Sequence, residues 1–98
     1  MAEAIDNIPI VEKEQIGNLH FPANEVLTEE QSIKNRVAVL HHATSLGNLD
    51  KHKVNIVFED SQGLKRVITT IWALTQNRII LKNNRSIPIN RIHSVVIN

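Results

Sequence analysis

The stretch His52 to Ile97, HKVNIVFED-SQG-LKRVITTIWALT-QN-RIILKN-NR-SIPINRIHSVVI, decides the fold. It is a series of short apolar runs broken by turn-forming residues, the pattern of strands joined by tight turns. Over 52–59, Val54, Ile56 and Phe58 alternate with Asn55, Val57 and Glu59, the period of a half-buried strand. Asp60-Ser61-Gln62-Gly63 forms the next turn, where Gly63 can take positive φ. A long second strand over 64–75 is apolar on both faces. It must therefore bend, at Thr69-Thr70, to bury different faces at its two ends. Gln76-Asn77 turns the chain into a third strand over 78–83, and Asn83-Asn84-Arg85 turns it again. Ile87-Pro88-Ile89 is a short strand at an edge or bulge, because Pro88 has no N–H to donate. Asn90-Arg91-Ile92 reads as one helical turn, and His93 to Ile97 is the last strand.

Ahead of this block the spacing predicts a helix over 28–46. Thr28 and Gln31 match the S/T-x-x-E/Q capping pattern, and Glu29 and Glu30 suit the positive end of the helix dipole. Ile33, Val37, Leu40 and Thr44 recur on one face, and Gly47-Asn48 offers a left-handed stop. Residues 1–24 form an arm without a clear period. Pro9 and Pro22 make its apolar pieces extended. The arm is either loosely ordered or laid along the body through Ile8, Ile10, Leu19 and Phe21. The expected architecture is α+β, mainly β: one domain over 1–98, with a helix followed by a small five-stranded SH3-like or Sm-like barrel over 52–97. Its expected core is Ile33, Val37, Leu40, Val54, Ile56, Phe58, Ile79, Leu81 and Ile89. Trp72, at mid-strand, is expected in the core as well.

The run GLKRVITTIWALTQNRIILKN, followed by SIPINRIHSVV, is similar in length and rhythm to the bacterial Sm-like RNA chaperone family, which also places a helix before its strands. Leu81-Lys82-Asn83 and Ser94-Val95-Val96 match that rhythm. The family's aspartate before its third strand falls at Leu74 here, its strand-entry asparagine lies one residue early at Asn77, and its basic pair is reduced to Asn90-Arg91. The glycine inside its second strand is missing. The resemblance implies a small barrel of bacterial type and, more distantly, RNA as a ligand. A shared fold does not by itself carry function.

Composition narrows the function classes. The chain has 98 residues, enough for one modest core, and with three aromatic side chains that core must be aliphatic. It has no cysteine, which excludes a disulfide framework, a zinc–thiolate site and a thiol nucleophile. The acidic start MAEAIDNIPIVEKE is unlike a secretory signal, no apolar run approaches the length that spans a bilayer, and a cytoplasmic protein is expected. His41 and His42 are adjacent on the helix, about 100° apart, and cannot chelate as an i, i+4 pair does. His20, His52 and His93 are scattered, and Glu59-Asp60 is read as a solvated pair at a hairpin turn. No nucleophile elbow or glycine-rich phosphate loop occurs. The expectation is a non-enzymatic protein without catalytic residues, metal or cofactor.

The clearest functional lead is charge. Residues 1–50 hold three basic against eight acidic side chains, and residues 51–98 hold eight against two. Lys51, Lys53, Lys65, Arg66, Arg78, Arg85 and Arg91 are candidate polyanion contacts at strand entries and turns, where loops on a rigid scaffold bind ligands. With stacking aromatics scarce, the leading expectation is an interaction module, binding a protein partner or a second copy of itself. The alternative is an RNA- or polyanion-binding Sm-like barrel.

Overall fold

The computed structural model describes residues 7–97. One helix, α1 (Glu30–Asp50), precedes six strands: β1 (Val54–Asp60), β2 (Gly63–Thr69), β3 (Ile71–Leu74), β4 (Arg78–Leu81), β5 (Ser86–Pro88) and β6 (Ile92–Ile97). They form two three-stranded antiparallel sheets, in the orders β2-β1-β6 and β3-β4-β5. The fold is thus α+β and mainly β. The sheets are not closed into one ladder, so the expected five-strand barrel is seen as two separate sheets.

The long second strand breaks where its two apolar faces required it to. Thr70 alone separates β2 from β3. Its hydroxyl donates to the Lys51 carbonyl at 3.1 Å, and its carbonyl accepts the Lys82 N–H at 3.2 Å, so the bend is tied on both sides. Val67 faces the core before it and Ile71 after it. Trp72, expected inside, is instead 48% exposed, because Ile71 takes the core side and the β3–β4 register is bulged at Trp72. The single turn before the last strand is a 3-10 turn at Ile89–Arg91, and Pro88 ends the edge strand β5.

The helix departs from its expected limits and face. It starts at Glu30 with Glu29 as its N-cap, and no side chain caps it; Gln31 donates to Asn35 instead of closing a box with Thr28. It runs through Gly47 and ends where Lys51 takes left-handed φ of 59° and donates its N–H to the Gly47 carbonyl. The buried face is Arg36, Leu40, Ala43 and Gly47. Val37, expected in the core, is 44% exposed and Ile33 is half-buried. Small Ala43 and Gly47 let α1 approach β3 closely, and this turns the helix away from the stripe its apolar residues mark.

The core joins Leu40, Val54, Ile56, Phe58, Ile79 and Leu81 as expected, with Ile16, Val67, Ile71, Ile87 and Ile92. Ile89 is half-buried against it. The arm lies along the body: Val11 N–H reaches the Arg66 carbonyl and Arg66 N–H the Pro9 carbonyl, both at 2.9 Å, so the arm pairs with the β2 edge. Ile8 is buried as expected, Ile10 is exposed, and Ile16, on a 3-10 turn over Lys13–Asn18, is fully buried. Phe21 packs on Phe58 with ring centroids 5.9 Å apart. The arm's first six residues lie outside the described residues.

Candidate binding groove

The seven candidate basic residues do not converge. Arg66 and Arg91 are buried and hold the arm and strands together. Arg66 Nε donates to the Ile8 carbonyl and Nη1 to Asn55 Oδ1, both at 3.0 Å. Arg91 Nε donates to the Glu59 carbonyl at 3.0 Å and Nη1 to the Asn24 carbonyl at 2.9 Å. Lys65 reaches both oxygens of Asp60 at 2.9 and 2.8 Å. Arg85 is exposed beside Gly17, and Lys51 and Lys53 are exposed between α1 and β1. Arg78 is exposed at the start of β4, where its Nε donates to Ser86 Oγ at 2.9 Å.

The acidic residues at the first hairpin also differ from their reading as solvated. Asp60 is buried, and accepts the N–H groups of Gln62 and Gly63 as well as Lys65. Burial alone pushes its carboxyl up, but the Lys65 and backbone hydrogen bonds outweigh that and hold it below the ordinary range. Glu59 faces His93 Nε2 at 2.8 Å, with Arg91 beside it. Arg36 was not among the candidates, yet it is buried on α1. Its Nη1 donates to Glu25 at 2.7 Å and to the Ile92 carbonyl at 3.0 Å. The Arg36 hydrogen bonds hold the Glu25 carboxyl low, against the desolvation that raises it. Arg36 Nε is the buried side-chain polar atom, among the described residues, that lacks a partner. Among the described residues, no cluster of His, Cys, Asp or Glu could hold a metal ion.

A groove of about 620 Å³ lies between α1, the arm and the turns that flank β4 and β5. Phe21, Pro22, Val37, Pro88 and Ile89 give it an apolar lining, and Gln76, Asn77, Arg78 and Asn90 a polar rim. Arg36 lines it too, but its guanidinium is paired with Glu25, which leaves Arg78 as the exposed cation of the rim. A second recess of about 230 Å³ shares Val37, Gln76 and Ile89 and extends the groove to Leu40, His41 and Leu74. Its walls are fixed by hydrogen bonds. Thr75 Oγ1 accepts the Arg78 N–H at 3.0 Å, the Ile89 N–H donates to the Asn77 carbonyl at 2.9 Å, and the Val26 N–H to the Asn90 carbonyl at 3.0 Å. Residues distant in sequence are thus locked into one trough, part apolar and part polar, with Arg78 at its rim. Of its lining residues the sequence marks Arg78 as a ligand contact, whereas Val37 and Ile89 are expected there in the core.

No protein-family model, curated protein or solved structure matches this chain. No helix among the described residues is long and apolar enough to cross a membrane.

Proposed function

We propose that this protein is a non-enzymatic interaction module of the cytoplasm whose groove binds an extended peptide segment carrying apolar side chains next to a carboxylate. The observation that carries the reading is the groove itself: apolar side chains, a hydrogen-bonding rim and one exposed cation, Arg78, with Arg36 already paired to Glu25. Apolar pockets with a few placed polar groups are the common form of a ligand site. A carboxylate on the peptide would complement Arg78, whose guanidinium has donors to spare beyond the bond to Ser86. The same reading treats β2 and β3 as one bent strand shared by both sheets. In that arrangement the molecule works as a small SH3-like or Sm-like barrel that holds the groove walls still.

The test is selection from a displayed library of random peptides against the full chain, followed by titration of the selected sequences. Enrichment of acidic peptides with apolar neighbours is expected, with binding weakened at least about ten-fold in Arg78→Glu, where a repelling charge replaces a complementary one. Val37→Glu should act likewise from the apolar side. Both residues are exposed, so both variants should melt like the wild type. No enrichment over an unrelated control protein, or binding by both variants as tight as that of the wild type, would overturn the reading.

A further inference from the structure

The hydrogen bonds at the Thr70 bend gather a second site, away from the groove. Thr70 Oγ1 is bonded to the Lys51 carbonyl and the Thr70 carbonyl to the Lys82 N–H. Lys53 adjoins Val54, which pairs with Thr69. Trp72 stands two residues beyond Thr70 on β3. The backbones of Lys51, Lys53 and Lys82 therefore meet around one residue, next to the tryptophan. All three lysines and Trp72 are exposed. None of the three ammonium groups makes an ion pair among the described residues, whereas Lys13, Lys34 and Lys65 each do. Asp50, the neighbouring carboxylate, accepts the His52 N–H at 3.1 Å.

A single exposed indole needs no cover of its own, but an indole on a backbone flanked by three lysines without ion partners offers a stacking face together with charge for an anion. A ligand that offers a flat π-face and regularly spaced negative charges matches both. We propose that Lys51, Lys53, Lys82 and Trp72 form a binding site for single-stranded nucleic acid, with phosphates on the lysines and a base stacked on the indole. A duplex hides its base faces, and an anionic membrane or inorganic polyphosphate offers none, so the aromatic selects the single strand.

Trp72 is the sole tryptophan and the chain has no tyrosine, so its intrinsic fluorescence reports on this site alone. The full chain is titrated at low salt with a uridine RNA and a thymidine DNA, each of about twelve nucleotides. Parallel titrations use a duplex of the same length, inorganic polyphosphate, and phosphatidylglycerol vesicles. Saturable quenching by either single strand supports the site, and the stronger of the two names its natural source. With a labelled oligonucleotide followed by anisotropy, Trp72→Ala should weaken binding at least about five-fold and Trp72→Phe much less. Lys51→Asn/Lys53→Gln/Lys82→Gln should lower the log–log salt slope by about two. Asparagine is chosen at Lys51 because it tolerates the left-handed backbone there. Absence of quenching up to about 100 µM oligonucleotide overturns the proposal. So does equal competition by polyphosphate, or a blue shift with vesicles alone, which would assign the patch to a membrane surface.

Discussion

Gly47 of the helix lies so close to Ile71 of β3 that a Cβ added at Gly47 would stand 2.3 Å from the Ile71 carbonyl oxygen. The contact explains why the chain keeps a glycine inside α1, at a position where the sequence suggests a helix end. Intrinsic helix propensity favours Gly47→Ala by about 1 kcal/mol. The clash is with backbone, so it must move α1 or β3 and outweighs that gain. Gly47→Ala should therefore destabilise the protein by about 1–3 kcal/mol in a urea melt. A stabilised variant would mean that the helix does not pack on β3 at this distance.

Leu81 and Val37 separate the observed core from the expected one. Leu81 is fully buried on β4, whereas Val37 is 44% exposed on the groove side of α1. Leu81→Ala should cost about 2–5 kcal/mol through lost burial and a cavity, and Val37→Ala less than about 0.5 kcal/mol. Equal losses in denaturant melts would return the helix to the face marked by Ile33, Val37 and Thr44.

Arg36 is buried on the strength of Glu25 and the Ile92 carbonyl. Removing its partner leaves a cation in a desolvated place. Glu25→Ala should cost about 3 kcal/mol, reduced toward 2 kcal/mol by the partial exposure of the Glu25 side chain. Arg36→Met, which removes the charge and keeps the aliphatic stem, should cost less than Glu25→Ala. The reverse order in thermal melts would show that packing of the stem, not the charge, governs the site.

Acid should loosen the protein through the same kind of group. Asp60 and Glu25 have folded-state values below their ordinary 3.8 and 4.5. Lowered carboxylates contribute stability that is fully present above the ordinary values. It is lost as pH falls through the lowered folded-state values, because the unfolded chain then binds more protons. The melting temperature should therefore fall as pH drops below about 4. Asp60→Asn, already without that charge, should show a shallower fall. Parallel pH profiles for the two proteins would exclude Asp60 as a source of the acid sensitivity.

The strand half was legible in its apolar runs and turns. Val54, Ile56 and Phe58 are buried as their alternation implies, but Asn55 and Val57 are buried too, so β1 is covered on both faces instead of half-buried; the doubly apolar run 64–75 is broken at its expected bend. The helix face was less legible, because close approach through Ala43 and Gly47 overrode the apolar stripe. The buried cations were illegible in principle. Nothing local distinguishes Arg66 and Arg91, which accept burial through the Ile8, Asn55, Glu59 and Asn24 oxygens, from exposed Arg78 and Arg85. The groove was hidden for a related reason. Phe21, Val37, Asn77 and Ile89 meet only in three dimensions, and no pair of them forms a motif.

Whether a peptide occupies the groove is read residue by residue in a nuclear magnetic resonance titration. The 15N-labelled full chain is mixed with an acidic, apolar peptide taken from the display selection. Saturable amide shifts confined to Ala23, Val37, Gln76, Asn77, Arg78 and Asn90 are expected, needing at least about ten times more of the same peptide in Arg78→Glu. Shifts centred on any other face, or none at saturating peptide, would contradict a peptide site in the groove.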